Sequence, residues 1–200
     1  MDVTARTNLA YVIGVALGDG NLSRPNKRAT RLRVTCDANY PNIGEEICNA
    51  LKTLFPTNSV SKVKGPRDTY FNISVYSNRL DGFIPWKVGC GSKFEQNARV
   101  PDWIFRDKEY IYACLRGLIQ TDGSIYLDRG YKMVNFTNNT QDLSIDVKNM
   151  MEHLRYKPNL YVAGQRSGNP KYTVRLFKNV DEFISEINLV KEMKQVALLS

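Results

Sequence analysis

Val12-Ile13-Gly14-Val15-Ala16-Leu17-Gly18-Asp19-Gly20 and, past the middle of the 200-residue chain, Leu115-Arg116-Gly117-Leu118-Ile119-Gln120-Thr121-Asp122-Gly123 are small, apolar, helix-like runs that each stop at Asp-Gly. Each aspartate falls at a helix C-terminus, where aligned peptide dipoles leave partial negative charge, so the position is electrostatically poor for an acid. If the two helices lie side by side, their carboxylates converge and repel, which is tolerable with a divalent cation between or beside them. The two segments therefore outline a metal-dependent active site. Gly14 and Gly18 are four residues apart, and Gly117 and Thr121 repeat that small-to-small spacing, which lays a shallow stripe on one face of each helix. Interior glycine is worse than alanine in a helix by about 0.5–1 kcal/mol, so close backbone packing has to return more than propensity loses. Gly20 and Gly123 are expected in the left-handed conformation that ends a helix, leaving each aspartate in the last turn.

The two aspartates are 103 residues apart, and the correspondence continues beyond them. After each comes a short turn with Leu or Ile (Asn21-Leu22, Ser124-Ile125), a basic loop and a strand-like run. Those runs, Arg31-Leu32-Arg33-Val34-Thr35-Cys36 and Met133-Val134-Asn135-Phe136-Thr137-Asn138, alternate with period two, so Leu32 and Val34 match Val134 and Phe136 as inward residues. Helical stretches follow near Tyr40 to Leu54 and Gln141 to Leu154, each leading to another strand pair. The last strands, Tyr70 to Tyr76 and Lys171 to Phe177, match Ile73 and Val75 with Val174 and Leu176. A register held through five elements identifies a diverged tandem repeat. The predicted fold class is α+β: two pseudo-symmetric αββαββα halves, residues 1–98 and 99–200, joined through Asn97-Ala98-Arg99-Val100-Pro101-Asp102, where Pro101 opens a turn or helix.

Composition narrows the chemistry. At 42% hydrophobic and 24% charged residues the chain can bury a substantial core. Its 28 Lys and Arg against 20 Asp and Glu give a net charge of +8, which points to a polyanionic partner, nucleic acid or an anionic surface. The basic residues divide 14 and 14 about Val100-Pro101, so both halves carry the same character. The longest uncharged apolar stretch, Leu9 to Gly18, falls far short of the about 20 residues a bilayer helix needs, and no signal-peptide core is present, so the expected location is a prokaryotic cytoplasm or nucleoid, or an organelle matrix. Cys36, Cys48, Cys90 and Cys114 form no C-x-x-C pair and His153 is the single histidine, which argues against zinc sites and against Ser-His-Asp or Cys-His hydrolysis. Catalysis has to rest on carboxylates, lysines, metal and water.

LRGLIQTDG, VIGVALGDG and the stretch Val100-Pro101-Asp102-Trp103-Ile104 before the second motif together resemble the LAGLIDADG homing endonuclease family in its two-motif, single-chain form. The first motif departs from the family at its opening leucine and in its middle. The resemblance implies motif helices at the interface between the halves and two antiparallel sheets forming a saddle over double-stranded DNA. It also implies a monomer that hydrolyses one phosphodiester in each strand of a long site, with Asp19 and Asp122 binding divalent metal, usually Mg2+, with Mn2+ or Ca2+ able to take the same place. The backbone carbonyls of Gly18 and Thr121 would complete the metal shell. Oxygen-rich sites suit such hard cations. By the same resemblance a lysine sits near each scissile phosphate: Lys93 in the first half, and in the second Lys194 by offset, with Lys191 close enough to compete. A further family position, often Gln, maps to Cys36 and Asn138; Asn138 can orient water, whereas a thiol is a weak hydrogen-bonding group.

The alternation of the strands assigns a DNA face. With Leu32 and Val34 inward, Arg31, Arg33 and Thr35 point outward, and the same parity exposes Asn72, Ser74, Tyr76, Asn135, Thr137, Thr173 and Arg175. Arg and Asn there can read base edges in a major groove, while Lys27, Arg28, Lys62, Lys64, Arg129, Lys132 and Arg166, assigned to loops, hold phosphates, and Arg24 is a further expected DNA contact. Rival readings on the same scaffold are a maturase that binds intron RNA and a DNA-binding regulator without catalysis. Both motif acids are kept at unfavourable helix ends, which favours the nuclease. The endonuclease portion of an intein would need flanking splicing blocks that this length does not hold, so a free-standing intron reading frame is the expected source.

Overall fold

The carboxylate of Asp2 accepts a hydrogen bond from the backbone N–H of Ala5 at 2.7 Å and so caps the first helix, α1 (Val3–Asp19). From Leu9 to Leu17 every residue of α1 is buried, the mark of a helix apolar all round that runs through the molecule's interior. The computed structural model describes residues 2–164 and 169–191. After α1 the chain forms β1 (Gly20–Ser23), β2 (Arg31–Asp37), α2 (Pro41–Leu54), β3 (Val60–Lys64), β4 (Tyr70–Tyr76) and the short α3 (Leu80–Phe83). Pro101 then precedes a 3-10 turn, Asp102–Arg106, as the sequence predicts, and Asp107 caps α4 (Lys108–Asp122) by accepting from Glu109 N–H at 2.9 Å. The second series is β5 (Gly123–Asp128), β6 (Tyr131–Asn138), α5 (Gln141–His153), β7 (Asn159–Ala163), β8 (Lys171–Leu176) and α6 (Val180–Glu186). Helix, strand pair, helix, strand pair, helix recurs twice, matching the predicted α+β order.

Each series makes a four-stranded antiparallel sheet, ordered β1-β2-β4-β3 and β5-β6-β8-β7. The register repeats with the side chains: Leu32 and Val34 lie opposite Val75 and Ile73, and Val134 and Phe136 lie opposite Leu176 and Val174. All eight are fully buried against the helices. α2 and α5 cover the inward faces with matched apolar residues, Ile43, Ile47 and Leu51 in one and Leu143, Val147 and Met151 in the other.

The halves meet along α1 and α4, and the small-residue stripes explain how. A Cβ added at Gly14 would sit 2.2 Å from the carbonyl oxygen of Cys114, and one at Gly117 would sit 2.5 Å from that of Tyr11. The two backbones therefore touch, as the four-residue spacing predicts. The glycines after the aspartates behave otherwise than expected: Gly20 (φ −78°) and Gly123 (φ −93°) are extended, not left-handed. Each helix runs straight into a strand, and the turn is so abrupt that a side chain there would strike the carbonyl four residues back, Ala16 or Ile119, at 2.5 Å. Crowding rather than positive φ selects glycine at these two positions.

Beyond the seam, Tyr11 donates to Gln120 Oε1 at 2.7 Å, Gln120 donates to Glu46 at 2.8 Å, and Arg116 pairs with the same carboxylate at 2.9 Å. Three helices, α1, α2 and α4, are thus pinned across the half-to-half boundary. Among the described residues no helix is long and apolar enough to cross a membrane, and the four cysteines are free.

Candidate active site

Asp19 and Asp122 are the last residues of α1 and α4, so the contact between the glycine stripes carries both carboxylates to one end of the seam. Enclosure by protein and the neighbouring Asp122 charge push Asp19 up to about 6, although its carboxyl is open to solvent on one side. Burial also raises Asp122, but the amide of Asn138, donating to its Oδ2 at 2.7 Å, pulls the other way. Burial disfavours the charged form of both acids, and the Asp122 charge adds to this at Asp19.

Two lysines answer that charge. Lys93, from the segment after α3, places its Nζ on the carbonyls of Ala16 (3.2 Å), Leu17 (2.9 Å) and Gly18 at the end of α1. Lys191, after α6, does the same for α4, donating to Gln120 (2.9 Å), Thr121 (3.3 Å) and Gly123 (2.6 Å). Each ammonium meets last-turn carbonyls, Leu17 and Gly18 in one helix and Gln120 and Thr121 in the other, at the negative end of a helix dipole. Desolvation lowers the Lys93 pKa while the two aspartates raise it. The second-half position predicted by offset for Lys194 is filled by Lys191, because the chain reaches α4 three residues earlier than an exact repeat would; Lys194 lies outside the described residues. Lys93 and Lys191 also engage the carbonyls of Gly18 and Thr121, the two backbone groups expected to ligate metal.

Clefts of about 340 Å³ flank the seam. One is lined by Asp19, Cys36, Tyr40, Gln120, Asp122 and Lys191, the other by Lys93, Asp122, Asn138, Thr140, Leu143 and Lys171. Each combines a lysine from one half with the end of the second strand of the other. Cys36 and Asn138 are equivalent by register, facing Phe71 and Tyr172 on the neighbouring strands, and both lie on the helix side of their sheets, where they reach the motif ends. The two carboxylates at the seam are hard oxygen donors of the kind that suit a divalent cation such as Mg2+, while the Gly18 and Thr121 carbonyls are held by the lysines. Among the described residues no cluster of three or more His, Cys, Asp or Glu that could hold a metal occurs.

The outward faces of the sheets bear the predicted polar residues together. Arg31, Arg33 and Thr35 stand opposite Tyr76, Ser74 and Asn72, and Asn135 and Thr137 opposite Arg175 and Thr173. Several are braced: Thr35 donates to Asn72 at 2.9 Å, Thr137 and Thr173 share a hydrogen bond of 3.0 Å, and Arg175 donates to Asn135 at 3.1 Å. Parity also places on these faces residues that the sequence reading missed, among them Asn21 opposite Arg33, Ser124 opposite Asn135, Tyr161 opposite Thr173, and Tyr126, whose hydroxyl accepts from Asn135 at 2.9 Å. The same alternation rule, applied to β1, β5 and β7, would have found them.

Three loop assignments are corrected. Lys62 and Lys64 belong to edge strand β3 and Lys132 to β6, and register puts all three on the helix side: Lys62 opposite Ile73, Lys64 opposite Phe71, and Lys132 two residues from inward Val134. Lys62 lies over the Phe71 ring at 4.2 Å, Lys64 pairs with Asp68 at 3.5 Å, and Lys132 pairs with Asp181. Arg24, at the start of a 3-10 turn, pairs with Asp81 at 2.6 Å. Lys27 and Arg28 are exposed after β1, and Arg129 is exposed in the β5–β6 turn at φ 49°. Arg166 lies outside the described residues.

Comparison with known proteins places this geometry. Residues 109–191 match the LAGLIDADG-like domain. A DNA polymerase of Thermococcus sp. (strain GE8) is 28% identical over 94% of this chain, and a ribonucleoside-diphosphate reductase NrdEB subunit alpha of Bacillus subtilis (strain 168) is 27% identical over 80% of it. The chain spans only 11% and 15% of those two proteins' lengths. Among solved structures, I-DmoI in complex with DNA and Mn superposes with a TM-score of 0.67 at 19% identity, covering 94% of this chain and 99% of that one. Full-length DUF199/WhiA from Thermatoga maritima superposes with a TM-score of 0.65 at 14% identity, over 96% of this chain and 58% of that one. With a LAGLIDADG-like domain in its second half and paired motif helices joining two like halves, the chain has the two-motif LAGLIDADG fold.

Proposed function

We propose that this protein is a site-specific homing endonuclease: a metal-dependent endodeoxyribonuclease that makes a double-strand break in a long, asymmetric DNA target, acting as a monomer. The observation that carries the reading is the convergence of Asp19 and Asp122, one from each half, with Lys93 and Lys191 closing the same helix ends. Solved I-DmoI chains of this fold hold DNA with Mn, with Mg or with Ca, which supports duplex DNA as partner and a hard divalent cation as cofactor.

In this reading Asp19 and Asp122 hold the cation, Mg2+ by preference. When bound, it supplies positive charge to the attacked and leaving oxygens and makes an attacking water more acidic. The chain's own residues do the rest. Lys93 and Lys191, already beside the acids, lend charge to the phosphate as its negative charge grows. Asn138 fixes the orientation of Asp122. Arg31, Arg33, Thr35, Asn72, Ser74, Asn135, Thr137, Thr173 and Arg175 line the outward faces and would set the sequence read, while Lys27, Arg28 and Arg129 hold phosphates.

The test is selection from a randomised duplex library under Mg2+, with Asp19→Asn and Asp122→Asn as controls. Double-strand cuts at one long sequence that vanish in both variants support the reading. Tight metal-independent binding to structured RNA with no cuts would replace it with the maturase. A second reading concerns context: the polymerase and reductase relatives carry their similar stretch inside far longer chains, which favours an endonuclease hosted within another protein over a free-standing one.

A further inference from the structure

We propose that Asp146 of α5 is a positioning residue for cleavage: through Arg99 and Val100 it clasps the segment that joins the two halves and so holds Lys93 at the end of α1. This rests on the nuclease reading above and adds to it how the joint between the halves serves the site.

Lys93 belongs to neither a sheet nor a helix. It lies between α3 and the 3-10 turn, so its reach to the α1 carbonyls depends on the path of that connecting segment. The segment is folded on itself: Ala98 N–H donates to the Lys93 carbonyl at 2.9 Å, Asn97 N–H donates to that of Phe94 at 3.0 Å, and the Gln96 side chain bridges Lys87 and Gly91. These bonds shape it; α5 anchors it. The Asp146 carboxylate accepts from Arg99 Nη2 at 2.7 Å, from Arg99 Nε at 3.2 Å and from Val100 N–H at 2.9 Å. One turn earlier on the same helix, Asp142 accepts from the Asn97 side chain. Ala98, between the anchored positions, is buried and lines the same cleft as Lys93 and Asp122. A helix of the second half thus fixes the segment whose lysine closes a helix of the first.

The clasp is not a requirement of the fold. The Asp146 side chain is 1% exposed and that of Arg99 54%. Taking a carboxylate out of water is costly, and well-packed apolar groups of similar volume often stabilise as much as such a pair. The repeat contains that apolar alternative. By the Cys36–Asn138 register, an offset of 102, the α2 position equivalent to Asp146 is Gly44, where an added Cβ would meet the Phe71 ring at 2.4 Å. One half of the molecule therefore packs a ring where the other places a carboxylate. What the carboxylate adds is direction, because three donors converging on two oxygens fix a guanidinium and a backbone N–H together. A lysine whose segment is held in this way is already in place when the phosphate gains charge.

The test uses Asp146→Asn, which keeps the shape and removes the charge, and Arg99→Met, which removes two of the three bonds to Asp146. On the duplex recovered by the selection above, under Mg2+, each should slow cleavage about tenfold, the loss expected on removing the Lys93 ammonium itself. Binding of the same duplex in Ca2+ should stay within about twofold. The decisive reading is a cycle with the lysines: either clasp variant should cost nothing further in a Lys93→Met background and its full, about tenfold, loss in a Lys191→Met background. Independently of cutting, hydrogen exchange read by mass spectrometry should show residues 92–98 losing about tenfold in protection in either variant, with α1 and α4 unchanged. Circular dichroism and a thermal melt establish that each variant is folded, and Arg99→Met decides alone if Asp146→Asn does not fold. Equal losses in the two lysine backgrounds, or unchanged exchange over residues 92–98, would overturn this inference and leave the nuclease standing. No cutting by the unmodified protein would overturn both.

Discussion

The cleft on the Asn138 side and the cleft on the Cys36 side are built from equivalent elements, a strand end from one half and a capping lysine from the other, yet the two acids at the seam are held differently. Asp122 has an amide partner at 2.7 Å; Asp19 has none among the described residues and stands at about 6. The shared parts belong to the seam: two glycine stripes in backbone contact, two helix ends, two ammonium groups on carbonyls. The differing parts are side chains that can change without disturbing that seam. A duplicated fold thus preserves what packing demands and lets the side chains around the two acids drift apart.

The strongest way to break the comparison is to remove one acid. If both clefts draw on both carboxylates, Asp19→Asn and Asp122→Asn should each reduce cleavage of both strands by at least about a thousandfold in a strand-resolved assay. Loss of only one strand per variant would make the clefts independent sites. Next comes the seam itself: Gly14→Ala and Gly117→Ala should each destabilise the protein by about 3 kcal/mol in urea unfolding, because the new methyl meets backbone rather than a side chain that can move. Near-zero values would mean that the helices can separate without loss. Lys93→Met and Lys191→Met should lower cleavage about tenfold each, with the larger effect in different strands, since each lysine serves a different cleft. Equal effects on both strands would blur the distinction.

The smallest expected effect is the pH dependence of the metal-free protein. Asp19 stands at about 6 when folded, above its unfolded value, so folding favours its protonated form. The corresponding stability is complete below about pH 4 and is lost as pH rises through about 6. With one side of the carboxyl open to water, the loss amounts to about 1 kcal/mol. Urea midpoints at pH 4 and pH 7.5 in the presence of a chelator should show it, and Asp19→Asn should remove it while leaving the rest of the profile. An unchanged difference in that variant would mean that burial and the neighbouring Asp122 do not hold Asp19 above its usual range.

The sequence by itself determined the repeat, the order of elements and the inward residues of both sheets, because period-two alternation and small-residue spacing are local patterns that burial reads directly. Leu32, Val34, Ile73 and Val75, and their partners in the second half, needed nothing more. It also determined that two aspartates end two buried helices. Tertiary structure alone decided which lysine closes the second helix end, since Lys191 and Lys194 are alike in sequence and only the path of the chain after α6 selects one. It decided that Gly20 and Gly123 are extended, because the crowding comes from the turn into the strand. It also turned Lys62, Lys64 and Lys132 to the helix side of their strands, because pairing register, which no single segment carries, fixes the face a side chain takes. What a residue is follows from its own segment; what it meets depends on a partner far along the chain.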